Sequence, residues 1–547
     1  MENIYLFIEI LSKYIATYLF FFLVGRSFIL ISYKKFKNKI LFLSKEIIYP
    51  IIGLIVSGNV LVILNFFIPL KSGLVFVIFL IIVLYNLWHI SFNFKKIITF
   101  KNIFYYLIIP SILLISSFNI SFHYDAGYYH LNNQNWLRNS NLIMGFVNIF
   151  WAFGMSSIYE YISAILWFDS NLLNLHYLNL KFFHFLYLFF LDSILESKNS
   201  FFKNVSFLII GFSILDNFGF MGGRNGFIYI EGVGKQDVVV GILFFLITMI
   251  SCLFLSINEP ISKLDFTIYS LLILFTIQIK LNSVIIFLLY LIIIYKQFRI
   301  RKSIKEIFQP QIITIIFGLI WLLKNYLTTG CFVFPLNVTC INNFSWYTPE
   351  STKAFEIISK QSSLNYEFGT NFNTWFIKFS EYNFYISLIQ NFLISFGILF
   401  VIRQLFFNKI KKNTYEIAVF IIFVFVNFIY LIFFGPIPRY AIGLLMSIIG
   451  GLAIGTGSLK LRTYKSAYIL ILISIVFLIR YDSYFHFIQN EDLIIFDPRE
   501  KAQYIDQENN WVLPDEGDQC WINLDCTMND EGIRFEKNGL FNTAYNY

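Results

Sequence analysis

A chain of 547 residues that is 57% hydrophobic and only 14% charged, with a mean hydropathy of +0.67, falls well below the roughly 25% charged residues of a soluble domain. Composition therefore excludes an ordinary soluble enzyme and leaves a polytopic membrane protein. The net charge of +8 is no nucleic-acid signature, because the loops give it a topological origin, and no nucleic-acid partner is expected.

The first apolar run, 14–32, has no basic residues ahead of Lys13 and is followed by Lys34, Lys35, Lys37, Lys39 and Lys45. That order reads as a first transmembrane helix entering from outside, not as a cleaved signal peptide. Further runs fall at 47–69, 73–93, 103–119, 171–192, 204–221, 237–257, 265–279, 282–296, 311–327, 383–402, 415–434, 440–458 and 466–480. The expectation is an all-α polytopic bundle of about fourteen spans over residues 1–480, each near the ~17–25 residues a span needs. The pair 265–279 and 282–296 is short enough to be one broken hairpin.

Placing the N-terminus outside and alternating puts 23 of the 41 basic residues in seven short inner loops, as the positive-inside rule requires. The tail 481–547 then lies outside with 14 acidic against 4 basic residues. Its short apolar runs among Asp, Gly and Pro suggest a small α/β extracytoplasmic region. Cys331, Cys340, Cys520 and Cys526 fall outside as two local pairs, which suits disulfides in an oxidising compartment. Neither pair has the C-x-x-C spacing expected of zinc ligands.

Two outer loops, 120–170 and 328–382, exceed a simple turn. The first opens on Ser121-Phe-His-Tyr-Asp-Ala-Gly-Tyr-Tyr-His130, a polar and aromatic stretch among apolar helices. Asp125 stands just beyond the fourth span, where a carboxylate can take a proton from an acceptor hydroxyl; the alternative is a plain helix N-cap. If a helix follows, Tyr128, Tyr129, Asn132 and Trp136 share one face with it. His123 and His130 could begin a divalent-metal site with Asp125, but the spacing matches no metal pattern. Residues 155–168 read as a helix lying at the membrane surface, because Ser156, Ser157 and Glu160 are too polar for a span.

The turn from Gly222 to Asp237 carries Arg224, Glu231, Lys235 and Asp237, and glycine-rich turns before helices can present N–H groups to phosphate. Lys280, Arg439 and Lys324 sit at outer helix ends, where cations either snorkel or meet an anionic substrate. No dinucleotide, P-loop, nucleophile-elbow or HExxH motif occurs.

Four segments carry a resemblance: Tyr124-Asp-Ala-Gly-Tyr-Tyr-His130 with Asn148 and Phe153-Gly-Met-Ser-Ser157; Trp321 to Trp346 with Lys324, Asn325, Pro335 and Cys340; Pro436-Ile-Pro-Arg439-Tyr-Ala-Ile-Gly443; and Gly517-Asp-Gln-Cys-Trp521 with Cys526. The chain resembles the GT-C superfamily of polyprenyl-phosphate-sugar glycosyltransferases, and more closely a group of large bacterial inner-membrane proteins of that architecture. The resemblance implies a GT-C-like bundle in which Asp125 is the outer-loop acidic base. The donor would be a polyprenyl-phosphate-linked sugar in the membrane lipid, and the acceptor an envelope glycan. By position, Arg439 would hold the donor phosphate with Lys280 or Arg224, while His123, Tyr129, His130 and Asp237 line the substrate. The chain lacks the tandem acidic pair of those enzymes, so a divalent metal is left open. An O-antigen-type polymerase or ligase, or a lipid-linked oligosaccharide flippase, are the alternative readings.

Overall fold

The computed structural model describes residues 2–32, 43–88, 99–155, 157–167, 172–195, 199–216, 228–361, 376–377, 383–409, 414–434, 437–459, 464–489, 504–506, 511–514, 518–524, 526–527, 533–538 and 541–546. Nine helices among these are long and apolar enough to cross a membrane. A tenth is reached if Ser466–Leu478 and Tyr481–Ile488, bent by 91° at their junction, count as one broken span. Gly73–Asn86 and Ser200–Leu215 are apolar but shorter. The two runs expected as a broken hairpin are separate helices, Lys263–Ile279 and Leu281–Arg301, with Lys280 at the corner between them.

Hydrogen bonds between helix connections sort into two groups. At one end, Leu70 N–H bonds Leu137 O at 3.0 Å, His123 N–H bonds Val233 O at 2.9 Å and Gly145 N–H bonds Leu327 O at 3.1 Å. At the other, Ile261 N–H reaches Gln297 Oε1 at 3.0 Å and Arg403 Nε reaches Leu452 O at 2.5 Å. The basic Lys263, Lys296, Arg301 and Arg403 cluster at this second end, where carbonyl oxygens of backbone and glutamine take up their donors.

The helix entering the first long loop shows how sequence shapes the backbone. Pro110 has no N–H and crowds the preceding turn. Phe104–Ile108 accordingly widens to a π turn, closed by Ile109 N–H on Phe104 O. A second π turn, Ala126–His130, precedes the α-helix Leu131–Asn139. Tyr128 and Tyr129 pack against the cluster that contains Trp136, and Asn132 donates to Asn523 O in the tail. His130, next to them, is buried.

Residues 155–168 depart from the expectation of a surface helix. The described part forms Ile158–Ala164, and all seven residues are buried. Ser157 is polar because it caps the helix, accepting from Tyr159 N–H at 3.1 Å. Glu160 is polar because it anchors a buried network with His130, Gln134 and Gln236.

Three long loop and tail segments merge into one layer. Strand β1 (Ile143–Met144) lies in the first loop, β2 (Phe407–Lys409) and β3 (Thr456–Leu459) at the opposite end, and β4 (Tyr504–Asp506), β5 (Val512–Pro514), β6 (Ile533–Asn538) and β7 (Phe541–Asn546) in the tail. The tail hairpin β6–β7 adds to β1 in a sheet of order β1-β7-β6, with β1 and β7 parallel. Strands β4 and β5 form a second antiparallel pair, as do β2 and β3. Asn148 fastens the layer, donating to Trp346 O at 3.1 Å and Ala544 O at 2.9 Å. Trp136 stacks on Trp511 and Phe535 from the tail, at 6.0 and 5.8 Å. Disulfides join Cys331 to Cys340 and Cys520 to Cys526, and Cys252 is a buried free thiol.

Candidate functional site

The polar stretch meets residues 228–236 across two glycines. A Cβ at Gly232 would stand 2.2 Å from Ser121 O. Gly234 has φ +91° and lies against Ala126, where a Cβ would meet the Ala126 Cβ at 2.7 Å. Only glycine permits both approaches. Asn179 steadies the same loop, donating to Glu231 O at 3.0 Å and Gly232 O at 3.3 Å.

That fit positions three consecutive residues, each engaging a different partner. Lys235 donates to Asp125 Oδ2 at 2.7 Å, its side chain 10% exposed and that of Asp125 29%. Gln236 donates to Glu160 Oε1 at 2.8 Å. Asp237, 1% exposed, opens the helix Asp237–Ser256, takes a hydrogen bond from Lys280 Nζ and lies 3.6 Å from Arg439 Nε. Its Oδ2 is buried with no hydrogen-bond partner among the described residues. Lys280 and Arg439 both stand over the Tyr440 ring, at 4.7 and 5.2 Å.

Asp125 does not spend its carboxylate on capping. It has helical φ and ψ and makes no side-chain cap bond. His123 takes that role, its Nδ1 accepting from Asp125 N–H at 3.1 Å. Burial, the largest influence on Asp125, pushes its pKa up. The hydrogen bond and charge of Lys235, with His123 and His130 behind, outweigh it and hold the carboxyl below its ordinary value. His123 is driven down to about 4, by burial first and the Lys235 ammonium second, against the pull of Asp125. It is therefore a neutral imidazole at physiological pH.

Glu160 is 2% exposed and fully used. His130 Nδ1 lies 2.5 Å from its Oε1, Gln134 donates to Oε2 at 2.6 Å, and Trp167 Nε1 donates to Gln134 at 2.8 Å. His130 thus commits its Nδ1 to Glu160, and Tyr129 packs on its ring at 4.0 Å between centroids. Among the described residues no group of three or more His, Cys, Asp or Glu converges as a metal-ligand set.

Of the predicted site residues, the structure brings His123 within 3.5 Å of the Asp125 carboxylate, and Asp237, Lys280 and Arg439 into one cluster. Arg224 lies outside the described residues. Lys324 is buried elsewhere, over Trp321 at 4.3 Å and hydrogen-bonded to Asn325 at 3.0 Å. Lys235 has no local feature that sets it apart, and Glu160, expected on a surface helix, is buried. A lone glutamate inside Ile158-Tyr-Glu-Tyr-Ile162 was itself the available signal, because a buried acid demands partners. Glu231 also emerges: it is buried, it accepts from Val238 N–H at 3.0 Å, and burial first and Asp237 second push it up to about 8.

A family described as a domain of unknown function, DUF8201, matches residues 7–446. The chain belongs to this family. The match runs from the first helix through the Asp125, Lys235, Asp237, Lys280 and Arg439 cluster and stops before the tail strands that join β1. No curated protein and no solved structure matches the chain.

Proposed function

We propose that this DUF8201 chain is a membrane glycosyltransferase of GT-C type in a bacterial inner membrane, moving a sugar from a polyprenyl-phosphate donor to an envelope glycan or lipid acceptor. In this reading Ser466–Leu478 is the tenth long span and the shorter helices Gly73–Asn86, Ser200–Leu215, Lys263–Ile279 and Ile442–Gly451 also cross, giving fourteen passes with the N-terminus and tail outside. The sorting of connections into a basic end and an end built from the three long loops supports that orientation.

The observation that carries the reading is a partly exposed carboxylate, free of capping duty, joined through Lys235-Gln236-Asp237 to a cation pair sharing one acid. Lys280 and Arg439 bring two positive charges to Asp237, so one remains for an incoming anion; Arg439, 42% exposed, is the group that can turn to it. The acceptor hydroxyl hydrogen-bonds Asp125 and its oxygen attacks the anomeric carbon. The bond from that carbon to the phosphate oxygen breaks, the hydroxyl proton passes to Asp125, and the electron pair leaves on the phosphate held by Arg439 and Lys280. The depressed pKa makes Asp125 a weak base. Its contribution is orientation and a charged hydrogen bond that strengthens as the hydroxyl becomes acidic.

The test is Asp125→Asn in the producing cell, with lipid-linked intermediates and envelope glycan analysed together. Loss of transfer with normal membrane insertion is expected. Unchanged glycan output from that variant would remove Asp125 from the chemistry.

A further inference from the structure

Beside His123 and Lys235, with Arg439 outside its lining, lies a cavity of about 90 Å³. Ser121, His123, His176, Glu231, Lys235 and Arg480 line it. A water needs roughly 10–15 Å³ of such space, so the cavity has room for a small polar group and not only for one solvent molecule. The bend after Leu478 sets Arg480 at its wall, where the guanidinium stands over the Tyr229 ring at 5.1 Å. Arg480 Nε is buried and has no hydrogen-bond partner among the described residues. His176, 1% exposed, bonds Ser116 Oγ through Nε2 at 3.0 Å and leaves Nδ1 without a partner among the described residues.

The charges in this cavity do not balance. Lys235 is matched by Asp125. Glu231, the carboxylate in the wall, is occupied by Val238 N–H, and its raised pKa keeps it protonated through neutral pH. His123 is neutral. Arg480 therefore brings an unmatched positive charge and an unused donor to a polar cavity adjoining the proposed reacting carboxylate.

We propose that this cavity is a subsite for an oxyanion, a carboxylate or phosphate group on the acceptor, with Arg480 as its principal contact. The guanidinium fork matches two oxygens of such a group, and Ser121 and the protonated Glu231 add hydrogen-bond donors. The role as an acceptor subsite rests on the glycosyltransferase reading; the anion site itself does not.

Binding separates the two. The full chain in detergent micelles is titrated at constant ionic strength with glucuronate, inorganic phosphate and glucose, following thermal stabilisation. Saturable binding of glucuronate or phosphate and none of glucose is expected, and which anion binds more tightly distinguishes a sugar acid from a phosphorylated acceptor. Arg480→Gln should weaken binding by about tenfold or more, the range of a lost charged hydrogen bond. Arg480→Lys, which keeps the charge without the fork, should fall between and guards against a folding defect in the first variant. Arg439→Gln should leave glucuronate affinity within about twofold, and Asp125→Asn should bind even when it transfers nothing. The proposal is overturned if glucose binds equally well, if Arg480→Gln binds as wild type does, or if Arg439→Gln is the variant that loses glucuronate. Should Asp125→Asn retain glycan output while Arg480 still governs anion binding, the transfer reading fails and the subsite stands.

Discussion

Replacing Lys235 with Met removes the ammonium 2.7 Å from Asp125 while keeping most of the stem's packing. The pair is 10% and 29% exposed, so it lies between a surface ion pair worth about 0–1 kcal/mol and a buried pair whose rupture costs about 3–5 kcal/mol. A coupling of about 1–2 kcal/mol is expected, in the range of a charge-assisted hydrogen bond. The assay is a double-mutant cycle of Lys235→Met and Asp125→Asn, read by chemical unfolding of the detergent-solubilised chain at several pH values. The sign with pH is fixed by the depressed pKa of Asp125. Its contribution is complete above the ordinary carboxylate pKa and is lost only as pH falls through the lower folded value. Coupling should therefore be flat from pH 7 to pH 5. Additive single variants, within about 0.3–0.5 kcal/mol, would refute the idea that Lys235 holds this carboxylate.

The geometry sets four other outcomes. Glu231→Gln, which mimics the protonated acid, should be more stable than wild type at pH 8 and converge with it near pH 5, because a raised pKa makes the wild-type protein lose stability as pH rises; parallel pH–stability curves would contradict the assignment. Gly232→Ala forces a Cβ to 2.2 Å from Ser121 O and should cost about 1–3 kcal/mol as an overpacking change, whereas Gly73→Ala meets nothing within 4 Å and should insert and unfold as wild type does. Asn148→Ala leaves Trp346 and Ala544 carbonyls without their donor; a loss of about 1–3 kcal/mol with faster amide exchange in β7 is expected, and unchanged exchange would count against Asn148 as the fastener. Alkylation of the unreduced, denatured chain should label Cys252 alone, and the other four cysteines should react only after reduction.

The sequence by itself determined the class of protein, since so few charges over so many apolar runs admit no soluble fold. It also marked Asp125 and Arg439, which stand out as charged residues at apolar helix ends, and both cysteine pairs, which lie close together in polar segments. Contacts between distant segments carry no local signal, and there the tertiary structure alone decided. His130, at the end of the π turn Ala126–His130, bonds Glu160, a partner 30 residues away that local spacing does not name. Glu160 read as a surface residue because its polarity was visible and its partners, Gln134 and Gln236, were not. Lys235 looked like one charge in a turn until Gly232 and Gly234 let the loop close on Ser121 and Ala126. An ion pair spanning 110 residues exists only when two backbones touch, and periodicity along the chain records nothing of that approach.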